Sequence, residues 1–364
     1  MKGQPRISIR TTSALAEALG LSRWTVSRSL NGGGGVSEET VQRVKEAARQ
    51  HGFRPSTLAR GLRAGQTEVV GVCLPDPDEY YLGGKLGHLL ASVFERGLEP
   101  LLQVTDGTTA SEERALGRFA AMRCPKVVTF ASRLGANNPA FRALEASGTR
   151  AIHVDPIGTA AGTHVMADRV EAMQVAVRHL HERGHRRFCV AGLDEGAAYA
   201  GQRHQGLRHA AGEFGVEEGR GFVYLAISPG RSDFEAGKLL AEAWLKLGRS
   251  RPKAIIALND RMAFAMMTVL KDRGIQAPED FRIVGYDATA LGLFCDPPLT
   301  TIDPRHEFLI EKVVESLWSE KPKRSARIKI APVLLARAST ERMARLIKLV
   351  PRTKQGLPGN HSEG

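Results

Sequence analysis

Four side chains near the amino terminus have the types and the spacing needed to recognise the edges of DNA bases. Arg23, Trp24, Ser27 and Arg28 would share one face of a helix, because their positions repeat with the helical period. An arginine can donate two hydrogen bonds to O6 and N7 of guanine, and an aromatic ring can contact a thymine methyl group or a sugar. The stretch therefore predicts the second helix of a helix-turn-helix, which would enter the major groove. The structural alternative is an ordinary amphipathic helix with solvated arginines.

Three hydroxyl side chains predict where short helices begin. Thr11, Ser22 and Ser37 can each accept hydrogen bonds from the backbone N–H groups that the first turn of a helix leaves unpaired. Gly20 suits the sharp turn between the first two helices, and the third is expected over residues 38–50. These elements would hold the base-reading face in place.

The distribution of charge indicates a nucleic-acid partner for this part of the chain. The 364 residues carry a formal net charge of +12, and residues 1–65 hold 11 Lys+Arg against 4 Asp+Glu, whereas residues 66–340 are nearly neutral. A small basic module on a nearly neutral body is typical of phosphate binding by the module and of small-ligand binding by the body. The first residues lack the apolar core of a signal peptide, and no apolar run approaches membrane-spanning length. A cytoplasmic protein with no membrane partner is expected.

Beyond residue 67 the sequence alternates between strand-like and helix-like segments, beginning with the apolar run 69–74. This alternation predicts two doubly wound parallel sheets covered by helices, with ligands outside the carboxyl ends of the strands. The four cysteines are far apart, and Cys73 and Cys189 lie in apolar runs. Buried free thiols are therefore predicted.

Six short motifs occur in a fixed order over the first sixty-odd residues: Leu19-Gly-Leu-Ser, Thr25-Val-Ser-Arg, Leu30-Asn-Gly, Val36-Ser-Glu-Glu-Thr, Gly52-Phe-Arg-Pro and Leu58-Ala-Arg-Gly-Leu-Arg. Their order and spacing resemble the amino-terminal signature of the lactose/galactose repressor family of bacterial transcription regulators. The resemblance implies an all-α helix-turn-helix DNA-binding domain at 1–54 and a hinge helix or linker at 55–66. It also implies a homodimer on a palindromic operator in double-stranded DNA.

The resemblance assigns DNA contacts to residues of both segments. They are Thr11, Ser22, Arg23, Trp24, Thr25, Ser27, Arg28 and Asn31 in the first domain and Ser56, Ala59 and Leu62 in the hinge. In the family the hinge becomes helical on DNA, and a leucine from each copy inserts into the minor groove, a role that falls to Leu62. Ser56 stands where members often have Asn, and Gly61 replaces a better helix former, so a looser hinge is expected.

Three later motifs resemble the two-lobed, α/β type I periplasmic-binding-protein fold that serves this family as effector domain: Ala257-Leu-Asn-Asp-Arg-Met-Ala, Ile283-Val-Gly-Tyr-Asp and Pro297-Pro-Leu-Thr-Thr-Ile. The implied effector-binding and dimerisation domain spans 67–340. Its N-subdomain would cover about 67–157 and 301–324, and its C-subdomain about 158–300 and 325–340. Residues 336–340 resemble the terminal strand of the family, and 341–364 would form a basic, disordered tail.

The same resemblance implies an effector site between the lobes. It assigns Arg203, Phe234, Asn259 and Asp287 to the ligand, and Tyr80 and Tyr81 are placed at the cleft from the first lobe. Polar groups beside an aromatic ring suit a sugar, whose hydroxyls donate and accept while its C–H face prefers an apolar surface. Each residue has a structural alternative as a strand-end cap or a core side chain. Because residues 165–172 and Pro304 depart from the family pattern, the resemblance does not identify the ligand. A regulator without an effector remains an alternative.

One motif favours an enzyme. His181-Glu-Arg-Gly-His185 satisfies a zinc-protease pattern, in which two histidines one turn apart bind the metal. Gly184 stands where the helix is expected to end, so the two histidines would diverge. A zinc-dependent hydrolase is therefore a distant alternative, and neither a catalytic residue nor a cofactor is predicted.

A second alternative is a solute-binding protein that delivers its ligand to a transporter. Such a protein would have no use for residues 1–65. The favoured prediction is a DNA-binding repressor controlled by a small molecule, with a carbohydrate as the expected class.

Overall fold

Three short helices form the amino-terminal domain of the computed structural model, which describes residues 9, 11–32, 34–53, 67–75, 80–193, 199–227, 231–320 and 325–341, with only the backbone of 80–84, 218 and 219. The helices are α1 (Thr12–Leu19), α2 (Arg23–Asn31) and α3 (Glu38–Gln50). Thr11, Ser22 and Ser37 each accept a hydrogen bond from the backbone N–H three residues later, so the three predicted caps are confirmed. The domain has its own small core, formed by Ile9, Leu15, Ala16, Val26, Val44, Ala48 and Phe53.

The first lobe of the larger domain is built on a six-stranded parallel sheet. Its strands are β1 (Val69–Leu74), β2 (Glu99–Val104), β3 (Lys126–Phe130), β4 (Arg150–Val154), β5 (Thr163–Ala167) and β11 (Ala326–Ile330). They lie in the order β11-β5-β4-β3-β1-β2. The accompanying helices are α4 (Tyr80–Phe94), α5 (Thr109–Ala121), α6 (Pro139–Ala146) and α13 (His306–Trp318).

The second lobe repeats this arrangement with one antiparallel edge strand. Its strands are β6 (Phe188–Ala191), β7 (Phe222–Leu225), β8 (Ala254–Ala257), β9 (Arg282–Tyr286), β10 (Thr300–Asp303) and β12 (Val333–Leu335). The order is β12-β10-β9-β8-β6-β7. Its helices are α7 (Arg169–His181), α8 (Ala200–Phe214), α9 (Glu218–Gly221), α10 (Asp233–Lys246), α11 (Asp260–Lys271) and α12 (Leu291–Phe294). The two predicted doubly wound parallel sheets are thus present.

The chain crosses between the lobes at positions that differ from the predicted subdomain boundaries. β5 belongs to the first sheet, so this lobe extends to residue 167 rather than to about 157. β10 belongs to the second sheet, so the chain returns to the first lobe after residue 303 and not at about 301 as predicted. β11 lies in the first sheet, so the first lobe extends beyond its predicted end at 324. β5 follows β4 through a loop, without an intervening helix, so the strand–helix alternation gave no signal for it.

The predicted terminal strand at 336–340 is also wrong. The last strand of the second sheet is β12, three residues earlier, and it pairs antiparallel with β10. Residues 336–340 instead are held by side-chain hydrogen bonds. The Ser339 hydroxyl donates to the carbonyl oxygen of Ile283 at 2.7 Å and accepts from the backbone N–H of Thr300 at 2.8 Å. This segment is therefore an ordered loop that packs against strands β9 and β10 of the second lobe.

All four cysteines are free and buried, as predicted for Cys73 and Cys189. Burial raises the pKa of each of these two thiols to about 12. The reactive thiolate is therefore essentially absent at neutral pH, and both side chains act as small apolar core residues.

Gly206 lies at a close contact between α7 and α8. A Cβ at this position would lie 2.3 Å from the carbonyl oxygen of Val170 and 2.8 Å from Cβ of Met173, whereas a Cβ at Gly212, in the same helix, would meet open space. We expect Gly206→Ala to destabilise the protein by about 1–3 kcal/mol, because the helices must move apart. Gly212→Ala should stabilise it by about 0.5–1 kcal/mol, because alanine loses less backbone entropy on folding. Urea unfolding of both variants checks this, and shifts of the same sign would contradict it.

His153 in β4 makes the stability of the first lobe depend on pH. Its Nδ1 lies 2.7 Å from the hydroxyl of Thr129 and its Nε2 lies 2.9 Å from the carbonyl oxygen of Ala161, so the ring is held in the neutral form that donates from Nε2. Burial, with a smaller contribution from neighbouring His164, lowers the pKa of His153 to about 4. The unfolded chain has a histidine pKa of about 6.5, so unfolding takes up a proton between these two values.

We therefore expect His153 to contribute stability that is present above pH 6.5 and is lost as the pH falls toward 4. The loss should be about 2 kcal/mol between pH 7 and pH 5. The measurement is the free energy of unfolding in urea across this range for the wild type and for His153→Gln. Since the other histidines titrate in both proteins, the difference between the two slopes isolates His153, and identical slopes would refute the assignment.

Candidate functional site

α2 presents its arginines and its tryptophan to solvent and packs Val26 and Ser29 into the core. Arg23 and Arg28 are exposed, and 57% of Trp24 is accessible, whereas Val26 is fully buried. Ser27 is partly exposed. The predicted division of faces is therefore confirmed, and the side chains expected to read bases all lie on the accessible face.

The exposed face of α2 is partly ordered before any DNA is bound. The guanidinium carbon of Arg28 lies 4.9 Å from the ring centroid of Trp24, which is a cation–π arrangement. The Asn31 side-chain amide donates to the carbonyl oxygen of Ser27 at 2.7 Å. Because these contacts restrict long side chains in advance, less conformational entropy remains to be lost when the face binds a partner.

The beginning of α2 combines hydrogen-bond donors with a positive helix terminus. Ser22 Oγ accepts from the Thr25 backbone N–H at 3.0 Å and lies 2.8 Å from the Thr25 hydroxyl. Arg43 of α3 donates to the carbonyl oxygen of Leu19 at 2.6 Å, which ties α3 to the end of α1. A helix terminus with hydroxyl groups at its first turn is suited to a DNA phosphate. Thr11 is exposed at the corresponding position of α1.

Several predicted DNA and effector residues lie where the structure gives no account of them. Ser56, Ala59 and Leu62 of the hinge, and the tail from residue 342, are outside the described residues, as are the side chains of Tyr80 and Tyr81 at the start of α4. Their roles stay predictions.

Asp155 is the centre of a buried ionic cluster where the two lobes meet. It directly follows β4, and its carboxylate receives Lys85 Nζ of α4 on Oδ2 at 2.6 Å and Arg169 Nη1 on Oδ1 at 2.9 Å. None of the three residues is more than 6% exposed. Because Arg169 is the first residue of α7, this cluster joins the carboxyl edge of the first sheet to the second lobe.

The two cations determine the charge of Asp155. Burial alone would raise the pKa of this carboxyl group, but the charges of Arg169 and Lys85 outweigh burial and hold the pKa far below its usual value. The carboxylate in turn raises the pKa of Arg169 despite burial of the guanidinium. The Asp155 carboxyl and the Arg169 guanidinium are therefore both ionised at neutral pH, and each charge is compensated by the other although both are buried.

Tyr199 closes the cluster from the second lobe. Its hydroxyl donates to the backbone carbonyl oxygen of Asp155, and its ring lies 3.7 Å from the guanidinium carbon of Arg169. Tyr199 directly precedes α8, with φ 64°. The lobes are therefore held against each other through Asp155 by two residues of the second lobe.

Two of the predicted effector residues converge near this cluster. The guanidinium carbon of Arg203, on α8, lies 5.9 Å from the ring centroid of Tyr286, the last residue of β9. Burial, with a smaller contribution from the charge of Arg169, lowers the pKa of Arg203. Asp287 follows Tyr286, and one carboxylate oxygen lies 3.8 Å from Nε2 of His306, at the start of α13. The cleft thus gathers residues from both lobes.

The other two predicted effector residues have local structural roles. Asn259 caps α11, because its side-chain oxygen accepts from the backbone N–H of Met262 at 2.8 Å. Phe234 is exposed in the first turn of α10, and its ring packs edge-on against Phe264, with 6.1 Å between centroids. Their contact with an effector stays a prediction.

The sequence reasoning missed most of the ionic cluster. Asp155 carried a usable signal, since it is a carboxylate directly after an apolar strand, and Arg169 stood within a stretch that departed from the family pattern. Tyr286 belonged to a quoted motif but was given no role. Lys85 carried no signal, because a single lysine in a helix is normally exposed.

The two histidines of the zinc pattern are held apart by different partners. The His181 ring, at the end of α7, stacks on Phe214 with 4.7 Å between centroids. His185, beyond the helix, accepts a hydrogen bond from Arg282 at 3.1 Å, and burial together with nearby cations lowers its pKa to about 4. Within the described ranges, no group of three or more histidine, cysteine or acidic residues could hold a metal ion.

Family models match both parts of the chain. Residues 14–56 match "Bacterial regulatory proteins, lacI family", and residues 177–340 match "Periplasmic binding protein-like domain". The HTH-type transcriptional regulator DegA of Bacillus subtilis is 30% identical over 336 residues, which cover 90% of this chain and 96% of DegA. The HTH-type transcriptional repressor CytR of Escherichia coli is 28% identical over 314 residues, covering 84% and 89%.

Solved structures show the same fold. A lac repressor dimer bound to operator and an anti-inducer superimposes with a TM-score of 0.76 at 21% identity, over 91% of this chain and 98% of that one. A complex of the transcriptional regulator CelR with cellobiose gives a TM-score of 0.61 at 23% identity, over 90% and 99%. None of the helices that the structure describes has the length and apolarity needed to span a bilayer. The relatives are transcription regulators, which overturns the zinc-hydrolase alternative, and this chain belongs to the lacI family of DNA-binding bacterial regulatory proteins, with a helix-turn-helix headpiece and a two-lobed effector-type domain.

Proposed function

We propose that this protein is a repressor that binds a palindromic operator as a homodimer and responds to a small molecule in the interlobe cleft. The observation that carries the proposal is the exposed face of α2, where Trp24 and Arg28 form a pre-ordered pair beside a capped helix terminus. Such a face can enter the major groove and read base edges while its first turn contacts phosphate.

The operator is expected to be palindromic because two identical headpieces would read it. Two recognition helices related by a two-fold axis lie on the same side of the duplex when the half-sites are one helical turn apart. The family resemblance places a Leu62 side chain from each copy at the centre of the operator, where it would insert between base pairs. Because it acts on DNA, we place the protein in the bacterial cytoplasm.

Exposed apolar side chains on both lobes support the homodimer. They belong to α4, to the edge strands β2 and β7, and to α12, in which 82% of Phe294 is exposed: Phe94, Val104, Tyr224, Leu293 and Phe294. Exposed apolar side chains favour a protein partner where they lie together, as the neighbours Leu293 and Phe294 do in α12. A second copy of the chain is the partner that a palindrome requires.

The cleft supports control by a small molecule. Arg203 and Asp287 lie beside Tyr286 and offer a charged donor and a charged acceptor, which suit a hydroxylated ligand such as a sugar. A ligand that prefers one arrangement of the lobes would change the spacing of the first lobes in the dimer, and hence whether two hinge segments can pair. The CelR relative, which was solved with cellobiose, is in keeping with a carbohydrate.

Selection of bound fragments from the source genome tests the proposal. Purified full-length protein is mixed with sheared genomic DNA, and the retained fragments are sequenced. A shared palindrome with half-sites one turn apart is expected. Enrichment of a single half-site would overturn the dimer, and no enrichment at all, with or without added metabolites, would overturn specific DNA binding. If a metabolite extract leaves operator occupancy unchanged, the effector-independent alternative is correct.

A further inference from the structure

We infer that the effector of this regulator carries a negatively charged group, a carboxylate or a phosphate, which Arg169 and Tyr286 hold in the interlobe cleft. The inference rests on the proposed control by a small molecule and names its chemical class. It goes beyond the carbohydrate class that the family resemblance implied, because a neutral sugar carries no such group.

Arg169 has a buried donor that the fold leaves unused. Its Nη1 is bonded to Asp155, and one face of the guanidinium is covered by the ring of Tyr199, but its buried Nε has no hydrogen-bond partner. Arginine can only donate hydrogen bonds, and the edge that carries Nε is one that binds carboxylates and phosphates in a forked geometry. The unused donor therefore calls for an acceptor, and a charged one best matches a buried cation.

Tyr286 provides a second unused polar group in the same neighbourhood. The residue is 4% exposed, and its buried hydroxyl has no hydrogen-bond partner. Burial raises the pKa of Tyr286 to about 12, so the hydroxyl is protonated and can donate. Leaving such a group unsatisfied costs about 1–3 kcal/mol, a cost that a bound acceptor would remove. The charges of Arg169 and Arg203 lower the pKa of this hydroxyl and those of Asp287 and Asp155 raise it, so both guanidinium groups and both carboxylates lie near it.

The surrounding backbone adds positive potential. α8 and α13 both begin at the cleft, after Tyr199 and Arg305, and neither helix has a side chain that caps its first N–H groups. His306, the first residue of α13, has no hydrogen-bond partner at either ring nitrogen, and the nearest carboxylate, that of Asp287, is 3.8 Å from Nε2. Burial lowers the pKa of His306, so its ring is neutral at pH 7 and one nitrogen can donate to a ligand. Uncapped helix N-termini stabilise anions. Three basic side chains (Lys85, Arg169 and Arg203) therefore face two carboxylates (Asp155 and Asp287), and this excess of one basic group, with the unused donors, suits an anion better than a neutral polyol.

Thermal unfolding of the full-length protein tests the inference. The probe is a small-molecule extract of the source organism, freed of nucleic acid and separated on an anion exchanger into a neutral flow-through and a retained anionic fraction. At constant ionic strength, the anionic fraction should raise the unfolding midpoint and the flow-through should not. Phosphatase treatment of the active fraction then distinguishes the two chemistries, because a phosphate loses its effect and a carboxylate keeps it.

Two variants separate a ligand role from a structural one. Tyr286→Phe removes only the unsatisfied hydroxyl, so without extract its midpoint should equal or exceed that of the wild type, while its response to the anionic fraction should require about tenfold more extract. Arg169→Gln should abolish the response, whereas Arg178→Gln, on the exposed side of the same helix, should leave it intact.

Stabilisation by the flow-through alone would overturn the inference, as would a wild-type response from Tyr286→Phe. The protein could also select a palindrome and yet be stabilised by neither fraction. That result would overturn both the anionic effector and control by a small molecule, and it would leave the proposed DNA binding intact. Failure to select any palindrome overturns the proposed function itself, whatever the cleft binds.

Discussion

Replacing Asp155 with alanine is expected to lower the free energy of unfolding by about 3–5 kcal/mol, because Lys85 and Arg169 would remain buried without their counter-charge. Both cations lie within 3 Å of this one carboxylate, and neither is more than 6% exposed. Removing one partner of a buried ionic cluster costs more than the cluster contributes, since the remaining charges lose compensation but stay out of water. Urea unfolding at pH 7, followed by circular dichroism, measures the loss.

Glu213→Ala is the matched control for this loss. It removes the carboxylate of the Arg178–Glu213 pair, which is exposed on both sides, and should cost less than about 1 kcal/mol. Replacing Lys85, Asp155 and Arg169 together with methionine or leucine should recover much of the stability lost in Asp155→Ala, because no uncompensated charge is left. Equal losses in Asp155→Ala and Glu213→Ala would show that the cluster is not buried as described.

Arg28→Ala is expected to weaken operator binding by about 1–3 kcal/mol for each half-site, and the loss counts twice in a symmetric dimer. The base preference should relax at one position in each half-site and persist elsewhere, because Arg28 is proposed to read one base pair. The loss also removes the cation–π partner of Trp24, so that ring becomes less restricted. Binding to the selected palindrome and to its single-base variants, at fixed salt concentration, measures both effects.

Arg49→Ala provides the comparison for Arg28. It lies near the end of α3, exposed and paired with Glu46 three residues earlier, so it removes the same charge from the same domain without touching α2. It should change affinity for all sequences by a similar, smaller factor. If Arg28→Ala also weakened binding to every sequence equally, its role would be contact with phosphate instead of base recognition.

The sequence could predict those features of the fold that depend on residues close together in the chain. Ser22 caps α2 and Val26 lies in the core because both roles depend on residues within one helical turn. The crossings between the lobes depend on pairing across the chain: β11 joins β5 from about 160 residues away, and no local pattern records that. This explains why the predicted subdomain limits were displaced.

The candidate cleft was predictable only where the family pattern or a strand end marked it. Arg203 and Asp287 were assigned to the cleft in this way, and the structure places both beside Tyr286, whereas their contact with an effector stays a prediction. Lys85 could not be found, because its burial depends on a carboxylate that lies 70 residues later in the chain. Conversely, Asn259 showed that a residue can match the pattern and still use its side-chain oxygen in a helix cap.

The placement of the tryptophans gives this protein its own optical reporters. The chain has three, and each lies in a different unit: Trp24 on the exposed face of α2, Trp318 on α13 of the first lobe, and Trp244 buried in α10 of the second lobe. An indole in water emits at longer wavelength than a buried one, so the emission of the headpiece and of the second lobe should differ in colour. Chains that retain a single tryptophan would thus follow DNA docking, melting of the first lobe and melting of the second lobe as separate fluorescence signals, without an attached dye.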